Sequence, residues 1–230
     1  MQKRITSIIL IILGCLIITS CGKSEDKPNI VGGWEIYTEN KTIDIPISAK
    51  TAFEKAYKNY DEIKLEPIAL LATEVKDGTN YMFLCLGSSK KNSSTYKMVV
   101  VNNNQDNEAK ITSVKDLEID KYANQDSEQD SLTLTSDWSP FENFKEATLP
   151  TDIKKSFEDA TKNFEGMTFK PIALLGSQVV SGKNYAILAL GEMTADKTYY
   201  TIDVLTIYVD LNSNSLLSQL SYLNLPDFSN

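Results

Sequence analysis

The chain is written twice. Displaced by 104 residues, the sequence falls on itself without a gap from Trp34 to Gly87, and 21 of those 54 positions are identical. Trp34 meets Trp138, Pro46 meets Pro150, Phe53-Glu54 meets Phe157-Glu158, and Lys58-Asn59 meets Lys162-Asn163. The longest shared run is Pro67-Ile68-Ala69-Leu70-Leu71 with Pro171-Ile172-Ala173-Leu174-Leu175. Downstream, Gly78 meets Gly182, Asn80-Tyr81 meets Asn184-Tyr185, and Gly87 meets Gly191. A period this long denotes tandem domains, because solenoid repeats run about 20–50 residues. Each copy has about 90–100 residues, enough for a core of its own. Asp120 to Ser131 is polar and acidic and reads as the linker. The expected domains are therefore 30–119 and 132–230, with 120–131 between them.

Each copy opens with a short aromatic segment, Trp34-Glu35-Ile36-Tyr37 or Trp138-Ser139-Pro140-Phe141. A helix is expected next. In the first copy Ser48 is placed to cap it, and Ala49, Ala52, Phe53, Ala56, Tyr57 and Tyr60 fall on one face. In the second, Thr151 takes the cap position, and Ile153, Phe157, Ala160 and Phe164 form the stripe. β-rich stretches follow at Glu66 to Val75 and Lys170 to Val180. Asp77-Gly78 and Ser181-Gly182 are turn signals, and the chain returns through Asn80 to Leu86 and Asn184 to Leu190. Two more strands per copy fit Tyr96 to Asn102 with Ala109 to Ile119, and Tyr199 to Leu211 with Leu216 to Leu225. The expected class is α+β: per copy, one helix on a four- or five-stranded antiparallel sheet.

The first twenty residues read as an address. Lys3 and Arg4 precede an apolar run from Ile5 to Ile18, which is the length of a secretory core and too short to span a bilayer. Thr19-Ser20-Cys21-Gly22 follows and resembles a bacterial lipobox. The resemblance implies cleavage before Cys21, lipid on Cys21, and a polar tether over 21–29. An exported protein held on a membrane, at the cell surface or in the periplasm, is expected. Cys15 leaves with the signal, so Cys85 is the one thiol left to the folded body, and no internal disulfide is possible. Cys85 lies in an apolar strand pattern and reads as a small buried hydrophobe.

The side-chain inventory narrows the chemistry. Histidine is absent, and Arg4 is the only arginine. Thirty-one acids face 23 bases, a net charge of −8. Loss of Lys3 and Arg4 takes it to −10. No Ser-His-Asp or Cys-His site and no His-ligated zinc can be built. No guanidinium clamp for phosphate or guanine is available to the mature chain. An acidic surface repels nucleic acid. No carboxylate pair has the spacing of an acid–base site. Asp210-x-Asn212-x-Asn214 opens like a calcium loop, but Ser215 stands where glycine is needed and Ser221 where the bidentate acid is needed. It reads as a hairpin turn. No cofactor and no enzymatic activity are expected.

Gln178-Val179-Val180-Ser181-Gly182, followed by Asn184-Tyr185 and Leu190-Gly191, resembles the central hairpin of the cystatins, Gln-x-Val-x-Gly. The element order of each copy is similar to theirs as well. The resemblance implies two tandem cystatin-like domains. It also implies a wedge that plugs the cleft of papain-like cysteine proteases without reacting. Three pieces form that wedge: an N-terminal glycine segment, the hairpin, and a later turn often bearing Pro-Trp. Carried onto this chain, the second copy supplies Gln178, Val179, Val180, Ser181 and Gly182, with Asn212, Ser213 and Asn214 at the later turn. It has no glycine in Thr135-Ser136-Asp137-Trp138. The first copy supplies Gly32 and Gly33 before Trp34, then Glu74, Val75 and Gly78, with Asn102-Asn103-Asn104 as its later turn. Its hairpin substitutes Glu74 for Gln and Lys76 for the second Val. Neither copy has Pro-Trp. The expected partner is a protein, with a non-inhibitory adhesion or ligand-binding role on the same scaffold as the alternative.

Overall fold

The computed structural model of the chain describes residues 30–31, 33–38, 45–88, 94–123, 138–140, 149–194 and 197–229. It is α+β, with two antiparallel sheets. The first contains β1 (Ile30–Val31), β2 (Trp34–Ile36), β3 (Lys64–Val75), β4 (Thr79–Ser88), β5 (Ser94–Asn103) and β6 (Ala109–Asp116), in that spatial order. The second contains β7 (Ser139–Pro140), β8 (Met167–Val180), β9 (Gly182–Thr194), β10 (Thr198–Val209) and β11 (Ser215–Tyr222), again as a meander. Helix α1 (Ile47–Tyr57) lies on the first sheet and α3 (Thr151–Thr161) on the second.

Each helix forms because its apolar residues recur at helical spacing. Ala49, Ala52, Phe53 and Ala56 of α1 are buried, and Phe53 meets Phe83 edge to face at 5.2 Å. Ile153 and Phe157 do the same work in α3. Ser48 and Thr151 are not the caps. Both lie inside the first turn, and Pro46 and Pro150 hold the cap positions. Proline suits the site because its missing N–H has no partner to lose there. Its carbonyl accepts the first helical bond, from Lys50 N–H at 2.9 Å and Lys154 N–H at 2.8 Å.

The shared Pro-Ile-Ala-Leu-Leu run has a structural cause. In β3 the register slips between Pro67 and Ala69 and again between Leu70 and Ala72. In β8 it slips between Pro171 and Ala173 and between Leu174 and Gly176. These are the same positions one repeat later. A bulge tolerates a proline that lacks a ladder donor, and it bends the strand.

Each copy has a core of its own beneath its helix and shares a second core with the other copy. Residues of β3, β4 and β5 alternate between two cores: Phe83, Cys85, Val99 and Val101 face α1, while Met82, Leu84, Met98 and Val100 face away from it. In the second sheet Ile187, Leu205 and Ile207 face α3, while Leu188, Ile202 and Val204 face away. The two outward sets join in a single cluster. The sheets thus pack back to back, giving the layer order helix, sheet, sheet, helix. Trp34 and Trp138, the first matched pair of the repeat, are both buried in this common core.

The contact is reciprocal. Strand β2 touches β10, and β7 touches β5. The helix α2 (Ile119–Ala123), which follows β6 of the first sheet, docks on β10 and β11 of the second. There the Tyr122 carbonyl accepts from Ser221 Oγ at 2.6 Å and Gln219 Nε2 at 2.8 Å. The short 3-10 turn Leu225–Phe228, which follows β11, docks on β5 and β6 of the first. Ser113 Oγ donates to the Phe228 carbonyl at 2.8 Å, and Lys115 Nζ donates to the carbonyls of Asp227 and Ser229. In the middle, Tyr96 Oη donates to the Leu174 carbonyl at 2.5 Å, and burial pushes that phenol's pKa up. Two expectations change. Asp120 to Ala123 is helix rather than linker, with Tyr122 and Ala123 buried. The two expected domains are not independent of each other, because their outward sheet faces share one core.

Candidate functional site

In each sheet two turns lie side by side at one end. The β3–β4 turn of the first sheet has Asp77 and Gly78 at φ of 52° and 110°. A Cβ on Gly78 would overlap the Asn103 carbonyl, so glycine is needed for both the backbone sign and the close approach. Glu74 Oε2 accepts from Asn80 Nδ2 at 2.9 Å, and Asn80 Oδ1 accepts from Asn102 Nδ2 at 2.8 Å. Glu74 Oε1 sits 2.9 Å from where a Cβ on Gly33 would stand. The structure therefore brings Gly33, Glu74, Gly78 and the Asn102-Asn103-Asn104 turn together at one end. Gly32 lies outside the described residues. Val75 is 89% exposed beside them.

The second sheet repeats the plan with different side chains. Gly182 has φ 138°, and a Cβ there would overlap the Val209 carbonyl and stand 3.0 Å from the Tyr208 ring. Tyr208 Oη donates to the Ser181 carbonyl at 2.7 Å and ties the hairpin turn to β10. Val179 is 60% exposed, Ser181 is exposed and Val180 is half-buried. Gln178 departs from its expected role. It is only 7% exposed, and its Oε1 accepts from Asn184 Nδ2 at 3.0 Å. Gln178 is a brace inside the hairpin rather than a surface contact. Glu74 and Asn80 form the same brace one repeat earlier.

The later turn is held by one carboxylate. Asp210 Oδ1 accepts from the N–H groups of Asn212 and Asn214, and Oδ2 accepts from Asn214 Nδ2, all at 2.8 Å. Asn214, first through its side chain and then its N–H, holds the Asp210 carboxyl below its usual range. Asn212, Ser213 and Asn214 are exposed, with Ser213 at φ 66°. The loop's one carboxylate is engaged by donors of its own turn. Among the described residues no group of three metal-ligating side chains exists.

Sequence reasoning missed Leu211. It is 86% exposed at the tip of this turn. The signal was an aliphatic residue inside Asp-Leu-Asn-Ser-Asn, where every neighbour is polar. Val179 and Leu211 stand on adjoining turns, and no residue from Gln178 to Gly182 is charged. The first-half tip carries Lys76 and Asp77, both exposed. The arrangement offers shape and apolar surface. Cys85 is buried under α1, and burial raises its thiol pKa well above the ordinary value. Cys21 and residues 135–137 lie outside the described residues. Among the described residues no helix is long and apolar enough to cross a membrane. The chain matches no family model, no curated protein and no solved structure.

Proposed function

We propose that this chain is an exported, lipid-held binding protein with a cystatin-like repeat, whose second-half tip enters an apolar cleft on a partner protein. The Gln-x-Val-x-Gly resemblance gives papain-like cysteine proteases as the partner class. The observation that carries the reading is the exposure of Val179 and Leu211 on two adjoining turns whose backbones are pinned by Gly182, Tyr208 and Asp210. Burying each side chain is worth about 1.5–3 kcal/mol, and pinned turns lose little entropy on binding. The first-half tip is the poorer wedge, because Lys76 and Asp77 would have to leave water. The lipobox-like Thr19-Ser20-Cys21 supports the membrane anchor. This reading assigns no reaction, cofactor or metal.

The test uses soluble residues 29–230 whole, since the halves share a core. Micromolar protein is expected to inhibit papain, and Val179→Asp and Leu211→Asp, both at exposed positions, are each expected to weaken inhibition at least about tenfold. Absence of inhibition, or inhibition unchanged by both substitutions, sinks the protease reading. A second reading has its own support: Gln178 faces inward, and the later turn lacks Pro-Trp. On that reading the same tip holds a non-protease ligand. Capture of such a ligand by the wild-type chain and its loss with Val179→Asp would favour it.

A further inference from the structure

A second apolar patch lies on the helix side of the second sheet, at the end remote from the turns. Register sets Met193 opposite Tyr199, Gly191 opposite Thr201, Asp203 opposite Tyr222 and Leu205 opposite Leu220. Met193, Tyr199, Leu220 and Tyr222 are exposed large side chains. Beneath them Asp203 is 3% exposed. Its Oδ2 accepts from Thr201 Oγ1 at 2.6 Å and fills the space over Gly191, under the Met167 methyl. Among the described residues no cation pairs with Asp203.

The first half is an internal template for what belongs there. Its register sets Gly87 opposite Thr95, and Lys97 opposite both Cys85 and Asp116. Lys97 therefore holds the position of Asp203, and Asp116 that of Tyr222. The Lys97 stem lies over Gly87, and its ammonium pairs with Asp116. Ile63 closes the site at 3.4 Å from a Cβ on Gly87. The exposed large hydrophobics described in this half, Ile47 and Val75, lie elsewhere. The first half thus satisfies this site with its own ammonium. The second half keeps a carboxylate, adds a phenol ring, and supplies no ammonium.

We propose that this patch docks a partner protein through a lysine, its ammonium between the Asp203 carboxylate and the Tyr222 ring and its stem on Leu220, with apolar neighbours of that lysine on Met193 and Tyr199. A lysine fits because its compact head and apolar stem match both layers of the patch, as Lys97 does one repeat earlier. A tyrosine face adds cation–π attraction. Met167 is unbranched and flexible, so its methyl can yield over the carboxylate. The patch runs across β8 to β11, about 14 Å at strand spacing, which suits a protein surface better than a lone amine. The negative net charge steers a lysine-bearing partner toward it.

The proposal is independent of the turn site, and the test separates the two. Soluble residues 29–230 are titrated by NMR with acetyl-Leu-Lys-Phe-amide, with its Gln counterpart, and with n-hexylammonium chloride. The Lys peptide is expected to shift Gly191, Thr201 and Tyr222 and to bind about tenfold tighter than the Gln peptide. Asp203→Asn should erase that preference, Leu220→Ser should weaken both peptides, and Val179→Asp should change neither. Equal binding of the two peptides, or a preference that survives Asp203→Asn in a folded protein, overturns it. Hexylammonium binding as tightly as the Lys peptide overturns the protein partner in favour of a small amine.

Discussion

Asp203 is held in the folded chain at a cost that pH reveals. Burial pushes its pKa from 3.8 up to about 6, against a smaller opposing effect of the Thr201 hydroxyl. The fold therefore prefers the neutral acid. Below pH 3.8 both folded and unfolded chains carry the proton, and the group contributes nothing. Between 3.8 and about 6 the unfolded chain releases its proton first, so stability falls as pH rises. Above about 6 both forms are ionised and the loss is complete. A shift of about two units at ~1.36 kcal/mol per unit makes that loss ~3 kcal/mol. Asp203→Asn removes the titration while keeping the shape and an acceptor for Thr201. Its stability relative to wild type should improve by ~2 kcal/mol or more on going from pH 4 to pH 7.5. At roughly 2–4 °C per kcal/mol for a chain of this size, that is a change in ΔTm of about 4–8 °C. Thermal unfolding of both proteins at the two pH values measures it, and other carboxylates cancel in the difference. A fixed amide cost at the buried site would shift both values equally and leave the change intact. A ΔTm that does not move with pH would refute the reasoning. A carboxylate kept at this cost, where the first half has a satisfied Lys97–Asp116 pair, is what a binding role would require.

Trp138→Ala should cost about 3–5 kcal/mol through the cavity it leaves, and near- and far-UV circular dichroism should still report one transition, because both sheets line that cavity. Two separated transitions would argue against the common core. Tyr96→Phe should cost about 1–2 kcal/mol in urea unfolding by stranding the buried Leu174 carbonyl between the sheets. Gly182→Ala should destabilise by about 1–3 kcal/mol and weaken partner binding more than Val180→Ala, since it forces the hairpin turn away from Val209. In soluble residues 29–230, Cys85 should react with a thiol reagent only as fast as the protein opens, which stopped kinetics against denaturant would establish.

Much of this fold is legible in the residues. Helical spacing from Ala49 to Ala56 and the glycines at 78 and 182 give α1 and both hairpins without further help. The caps mislead, because a serine or threonine near a helix start is the usual signal, and here a proline just before it takes the position. The back-to-back sheets left a trace that alternation rules could have caught. Ile68 to Ala72, Met82 to Leu86, Met98 to Val101 and Ala186 to Leu190 are continuous apolar runs. A strand with one wet face alternates instead. What such runs do not reveal is which surface covers the second face, since any apolar layer would serve. At the candidate site the glycines and the exposed Val179 follow from the motif. The inward turn of Gln178 does not, because it depends on Asn184 across the hairpin. Leu211 lay in plain view, but turn residues are ordinarily read for backbone shape rather than for what they present to a partner.

The crossed tails have a practical meaning for how the chain withstands cleavage. Tyr122, made with the first sheet, is fastened to the second, and Phe228, made with the second, is fastened to the first. A protease that cut the connection between Ala123 and Trp138 would release neither piece, because each would still be clasped by the other's end. Trimming the last few residues would do more harm than cutting the middle, and it would loosen the half farther away in sequence. The first half and the short turn from Leu225 to Phe228 stand or fall together.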